Sequence, residues 1–197
     1  MLLRNRGPQI ETGPVVAAAG YEHVAAGAIA VMRWLGAAGV DFVLVGAVAR
    51  QARGETGAEG PVAIVPAPYG RNLDRLARAL NGERAHERQQ HESPGSGPAR
   101  TQVRSQERTQ ARAPGALRMR AELLVRPQRW ELRFGDHDLD IEGRPDGGPS
   151  YQALLYEAVR FRLYAESPVE VAAPEDIEYY DHLRRTGVAP QMSVSRL

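Results

Sequence analysis

From Asn81 to Gly115 the chain carries one Val and no other large aliphatic or aromatic side chain. A segment of this make-up cannot bury enough apolar surface to offset the entropy of ordering it, so it is expected to stay disordered. The foldable sequence is thereby split into two blocks, one before Asn81 and one after Gly115. The 197 residues suffice for one ordinary domain with appendages. The expected organisation is a flexible leader over 1–14, one domain over 15–187 interrupted by the 81–115 insertion, and a flexible tail over 188–197.

Charge narrows the choice of partners. The 25 basic and 24 acidic residues nearly cancel, giving a formal net charge of +1. Composition alone therefore argues for neither a nucleic acid nor an acidic membrane. Every basic residue is Arg and none is Lys. With the abundance of Ala, Gly and Pro, this reads as the codon bias of a high-GC genome ahead of an arginine-rich binding protein. The 81–115 segment is net basic, and its arginines could touch RNA or DNA phosphates. A tolerated surface insertion is the simpler reading. The absence of Cys excludes disulfides, thiolate chemistry and Cys-ligated zinc, and suits a cytoplasmic protein. The Ala/Gly-rich stretch over 15–31 is broken by Glu22 and His23 and followed by Arg33. It falls short of the ~20 strongly apolar residues a spanning helix needs, so no membrane partner is expected.

Periodicity places the elements. Val24, Ala28, Val31, Met32 and Leu35 fall three and four apart, predicting a helix from about Val15 to Ala38 that stops at Gly39. "DFVLVGAVA" (41–49) reads as a buried strand, with Gly46 near its end where the backbone must turn or admit a close neighbour. Residues 51–60 read as a polar, Gly-rich loop. "PVAIVPAP" (61–68) is a short strand ended by its prolines. Asn72 to Leu80 is a helix with Leu73, Leu76, Ala77 and Leu80 inward and Arg71, Arg75 and Arg78 outward. "ALRMRAELLVRP" and "RWELRFG" alternate as strands do, with Trp130, Leu132 and Phe134 on one face. "DHDLDIEG" is a further strand. "SYQALLYEAVRF" gives a helix or a pairing segment, and "VEVA" a short strand. A helix then begins near Pro174, with Glu175 and Asp176 in its first turn and Arg184 and Arg185 in its last. This order is α/β (α+β), a mixed β-sheet flanked by helices.

Two stretches, "GVDFVLVGAVARQARG" and "PVAIVPAPYGRNLDRLARAL", are followed by "RFGDHDLDIEG" and "SPVEVAAPEDIEYY". In order and spacing this resembles the small bacterial nucleotidyltransferase-fold proteins, related to the antitoxin-type and aminoglycoside-modifying nucleotidyltransferases. The resemblance spans Val24 to Leu183 apart from the insertion. It implies a strand ending in Gly-Gly or Gly-Ser, a next strand bearing Asp-x-Asp, and a third acid on a downstream strand. Nucleotidyl transfer needs a divalent metal, Mg²⁺, to neutralise the triphosphate and activate the incoming hydroxyl. Carboxylates two apart on a strand share a face and can supply that hard, oxygen-rich site.

Carried over position by position, the resemblance puts Gly46 and Ala47 at the nucleotide-binding turn. It makes Asp140 the surviving catalytic acid and, with Asp138 on the same strand face, a metal ligand. It sets Pro61 and Ala63 on the two acid positions of the earlier strand, where neither side chain can hold a metal. Tyr180 stands where relatives often carry Lys.

The function expected from this is a nucleotidyltransferase-fold protein, catalytically degenerate, that binds a nucleotide, an RNA or a protein partner. One alternative is an active enzyme transferring NMP from an NTP to a hydroxyl acceptor. Its metal would need Glu55 or Glu59 to swing in from the loop, or a set of Asp136, Asp138 and Asp140 with His137. Another is an interaction protein without a ligand. The remaining residues read more plainly. His23 is a boundary residue, and His86 and His91 lie where no catalytic geometry can be held. Trp34 and Trp130 are core or core-edge residues. Tyr179 and Tyr180 could stack on a base, though one of them facing the core is the plainer account. No Ser-His-Asp set, P-loop or GxGxxG signature is present.

Overall fold

Two short apolar runs, each flanked by strands on both sides, form the centre of the molecule. They are β1 (Phe42–Val45) and β2 (Val62–Pro66), and every residue of both is buried. Burial on both faces is why they read as unbroken apolar runs without alternation. The computed structural model describes residues 24–82, 86–87, 119–134, 137–144, 148–162 and 168–187. The expected leader, the tail and most of the 81–115 segment lie outside the described residues.

The other strands are β3 (His86–Glu87), β4 (Trp130–Phe134), β5 (His137–Ile141), β6 (Val159–Phe161) and β7 (Val169–Val171). They make one seven-stranded sheet in the order β3-β4-β5-β2-β1-β7-β6. The sheet is mixed: β2 is antiparallel to β1 and parallel to β5, and β1 is parallel to β7. The helices are α1 (Ala26–Ala37), α2 (Gly46–Ala52), α3 (Gly70–Gly82), α4 (Ala121–Leu124), α5 (Tyr151–Glu157) and α6 (Pro174–Thr186). The α/β class with a helix-flanked mixed sheet is as the sequence indicated. Among the described residues no helix is long and apolar enough to cross a membrane.

Several elements follow directly from their residues. In α1, Ala28, Val31, Met32 and Leu35 are the buried positions, the same stripe the spacing picked out. In α3, Leu73, Leu76, Ala77 and Leu80 are buried, joined by Asn72. Buried Asn72 accepts from the Asp41 N–H at 2.8 Å and donates to the Asp41 and Ala67 carbonyls, tying α3 to the entry of β1 and the exit of β2. Helix α6 starts at Pro174 with Glu175 and Asp176 in its first turn and ends at a left-handed Gly187, φ 68°.

Three stretches fold differently from the sequence expectation. The strand expected over 41–49 ends at Val45, because Gly46 takes φ 68° and turns the chain into α2. Val48, Ala49 and Ala52 are then buried on one helical face, and an unbroken apolar run conceals that period. The loop expected from 51 therefore begins only after Ala52. In "ALRMRAELLVRP", Ala121 to Leu124 form the short helix α4 rather than a strand. These four are good helix formers, and α4 packs against α3. Lastly, of the segment expected to stay unstructured, Asn81 and Gly82 complete α3, and His86 and Glu87 pair antiparallel with Arg133 and Leu132 of β4.

Asn81 also closes the excursion that follows it. Its side-chain amide donates to the Met119 carbonyl at 2.8 Å, and its carbonyl oxygen accepts from the Met119 N–H at 2.8 Å. Met119, itself buried, is thereby held where the chain rejoins the core. Replacing Asn81→Ala leaves two half-buried backbone groups unpaired and should cost about 1–3 kcal/mol. Urea denaturation monitored by circular dichroism would check this, with an unchanged midpoint counting against the clasp.

Candidate functional site

Register across the three central strands brings the sequence-selected positions together. Val45, the last residue of β1, faces Ala63 of β2, and Ala63 faces Asp140 of β5. Successive strand residues point to opposite faces, so β5 divides its side chains between two layers. His137 points toward α1, where its ring lies against Gly27. Asp140 points toward the other layer, which holds α2 and α6. The Glu142 N–H donates to the Ile64 carbonyl at 2.9 Å, continuing the β2–β5 ladder by one residue. Glu142 therefore shares the face of Asp140.

A cation from α6 completes the group. Nη2 of Arg184 donates to Oε1 of Glu142 at 2.7 Å and lies 3.5 Å from Oδ2 of Asp140. The side chains of Asp140 and Glu142 are 3 % and 5 % exposed, and that of Arg184 is 21 % exposed. Gly46 makes room for it. A Cβ on Gly46 would sit 3.0 Å from Nη1 of Arg184 and 3.2 Å from the Cβ of Ala63. Helix α6 is held in this register by Arg50 of α2, whose Nε donates to Oδ2 of Asp181 at 2.7 Å. One turn before Arg184, Tyr180 is buried, and among the described residues its hydroxyl makes no hydrogen bond.

The electrostatics follow from burial opposed by pairing. Burial pushes the Glu142 carboxyl above the usual glutamate range, while the bond to Arg184 and the Arg184 charge pull the other way. The short bond to a guanidinium is the one a carboxylate makes, and Arg is not deprotonated in proteins. For Arg184, burial works against the charge, but the bond it donates to Glu142 and the charges of Glu142 and Asp140 outweigh it and hold the guanidinium above its ordinary value. The Tyr180 phenol is driven upward by burial first and by the Glu142 charge second. It stays a neutral donor.

The positions singled out in the sequence are distributed unevenly around this group. Gly46 and Ala47 open α2, and the Gly60 backbone closes on Ala47 so tightly that a Cβ there would lie 3.0 Å away. Pro61 is half-buried just before β2, whereas Ala63 is fully buried beside Gly46. Asp138 shares the Asp140 face but lies by Arg133, its cross-strand neighbour on β4, at 3.7 Å. Glu55 is held by Arg50 at 3.1 Å, and Glu59 is exposed, so neither reaches Asp140. The set of Asp136, Asp138 and Asp140 with His137 does not converge, since His137 lies on the opposite face and Asp136 is outside the described residues. His23 and His91 are also outside them. Tyr179 and Tyr180 are both buried, rings edge to face with centroids 5.5 Å apart, which takes each from base stacking. Trp34 and Trp130 are half-buried at the core edge.

Two members of the group were not selected by sequence reasoning. Glu142 is the third acid of an alternating Asp138-x-Asp140-x-Glu142 series, and that alternation was the available signal. Arg184 had been read only as a charge complementing the helix end. Its spacing of four from Tyr180 is what places both on one face of α6.

These residues do not fit the Mg²⁺ that the resemblance implies. Magnesium asks for an octahedron of oxygens around an unopposed carboxylate set. Here Ala63 contributes no oxygen, and Asp140 and Glu142 already face a guanidinium. Among the described residues no group of three or more His, Cys, Asp or Glu could hold a metal ion. No protein-family model matches the chain, and neither a curated protein nor a solved structure matches it.

Two substitutions test this packing by denaturant unfolding. Arg184→Met removes the guanidinium that donates to buried Glu142 and lies 3.5 Å from buried Asp140. It should cost about 2–3 kcal/mol, below the ~3–5 kcal/mol of a fully buried pair because Arg184 is partly exposed. Gly46→Ala adds a methyl group against Arg184 and Ala63 at a left-handed φ, and should cost at least ~1 kcal/mol. Wild-type midpoints for both would mean the group contributes nothing to the fold.

Proposed function

We propose that this chain is a nucleotidyltransferase-fold protein in which transfer chemistry has been lost, and that it acts by binding a nucleotide, an RNA or a protein partner. The observation that carries the reading is the contact of Arg184 with Asp140 and Glu142, directly across from Ala63. A working transferase needs acids from two neighbouring strands free to take a divalent ion. On this chain one strand offers Ala63, and the other has its acids engaged by a fixed cation.

The turn at Gly46 and the face between α2, α6 and β5 remain. The rest of the molecule supports a scaffold that keeps its shape without the chemistry. Its central register, its Gly46 turn and the Gly187 end of α6 hold the shape without calling on a metal. Fold alone does not give function, so the reading rests on the site. A cytoplasmic setting, with no membrane partner, belongs to the same proposal.

The test is a melting-temperature panel with ATP, GTP, CTP and UTP, each with Mg²⁺ and with EDTA. A ligand that binds only the folded state stabilises by about 2.7 kcal/mol at a hundred times its dissociation constant. The expected result is a shift with one nucleotide that is the same with Mg²⁺ and with EDTA. A shift that requires Mg²⁺ would overturn the loss of metal chemistry and make the active enzyme the better reading. No shift with any nucleotide would remove nucleotides from the proposal and leave RNA or protein as the partner.

A further inference from the structure

We infer that the Arg184 guanidinium is a built-in cation occupying the place between Asp140, Glu142 and Gly46 that a divalent ion would otherwise take, so that the site already holds a positive charge of its own and is closed to metal. The inference rests on the Asp140 face being the functional site proposed above, and it deepens that reading from absence of metal chemistry to its cause.

The geometry carries it in three steps. First, Asp140 and Glu142 lie on one face of the β5 edge of the ladder, two residues apart, each almost wholly buried. Two carboxylates removed from water need a positive partner close by, and whatever stands there must be cationic. Second, one guanidinium nitrogen serves both, at 2.7 Å from Glu142 and 3.5 Å from Asp140. One cation set close to two carboxylates is also how a metal ion would stand, and the Arg129 charge acts on Glu142 as well. Third, the space is made for this group and not left over. The Gly46 backbone lies so near Nη1 that even a methyl group there would crowd it, and Arg50 fixes α6 through Asp181.

Arg184 is partly exposed while the two acids are not, so it lies on the solvent side of the pair. An ion approaching from water would meet the guanidinium before it met a carboxylate. Unlike a metal, the guanidinium cannot be extracted by a chelator or lost by dilution. Shortening this one side chain would leave two carboxylates of one strand facing water. A hard cation that keeps several of its own waters could then settle there.

The test uses metal salts without nucleotide, so that a failure of nucleotide binding does not bear on it. Full-length wild type and Arg184→Gln, both stripped with EDTA, are titrated with MnCl₂ and MgCl₂. Melting temperature is followed, and binding is measured directly by calorimetry. Wild type should show no shift and no saturable heat. Arg184→Gln should melt lower than wild type without metal and recover part of that loss, saturably, as Mn²⁺ rises. Arg184→Lys, which keeps a cation in place, should ignore metal.

The triple variant Asp140→Asn, Glu142→Gln, Arg184→Gln buries no charge. It should fold and also ignore metal. Saturable metal binding by wild type equal to that of Arg184→Gln would overturn the inference, because the guanidinium would then exclude nothing. So would Arg184→Gln binding no metal. If Arg184→Gln fails to fold at every Mn²⁺ concentration while the triple variant folds, the two acids do not form a cation place, and the inference falls with them.

Discussion

The placement of β2 between an antiparallel β1 and a parallel β5 is the constraint on which the rest of the molecule depends. It sets Val45, Ala63 and Asp140 in one row across three strands. A shift of β2 by one residue would turn every side chain on it to the other face and would separate Ala63 from both neighbours. The apolar character of β1 and β2 on both faces makes that shift costly only if each face is covered. Helix α1 on one side and the α2–α6 layer on the other provide the covering. Packing, register and site are therefore one problem with one solution.

Among the described residues, the fully buried charges, Asp140 and Glu142, stand together. Burying Asp140 and Glu142 is costly without Arg184, and a side chain at position 46 would crowd the guanidinium. The interaction spans the C-terminal end of α6, the end of β5 and the turn after β1, three places far apart in sequence. It acts as a polar key that locks α6 over the sheet. Its net contribution to stability is modest compared with the apolar core. Its contribution to specifying one arrangement of α6 is larger, since any slippage of the helix draws the guanidinium away from both carboxylates.

Much of the fold was legible because the signals are local. The stripe from Ala28 to Leu35, the amphipathic pattern around Leu73 and Leu76, the alternation in "RWELRFG" and the Pro174 start with its acidic first turn each report their own element. The misreadings occurred where a local signal was ambiguous. An apolar run through Val45–Gly46–Ala47–Val48 fits both a strand and a buried helix, and only the left-handed Gly46 decides between them. "AELL" alternates over too few residues for its helix propensity to be outvoted. Within the site, Gly46, Ala63 and Asp140 could be found by order and spacing. Arg184 could not, because the partner of a buried acid is chosen by tertiary contact. Glu142 was visible as an alternating acid, but nothing local says that the strand ladder runs on to include it.

The paired hydrogen bonds between Asn81 and Met119 have a consequence for how such a chain can vary. They fasten Asn81, near the end of α3, to Met119, 38 residues further along the chain. The cost of closing a loop grows only with the logarithm of its length, about 0.6 kcal/mol per doubling. A change of length between Asn81 and Met119 therefore costs little in chain closure, while the clasp itself keeps the end of α3 beside Met119.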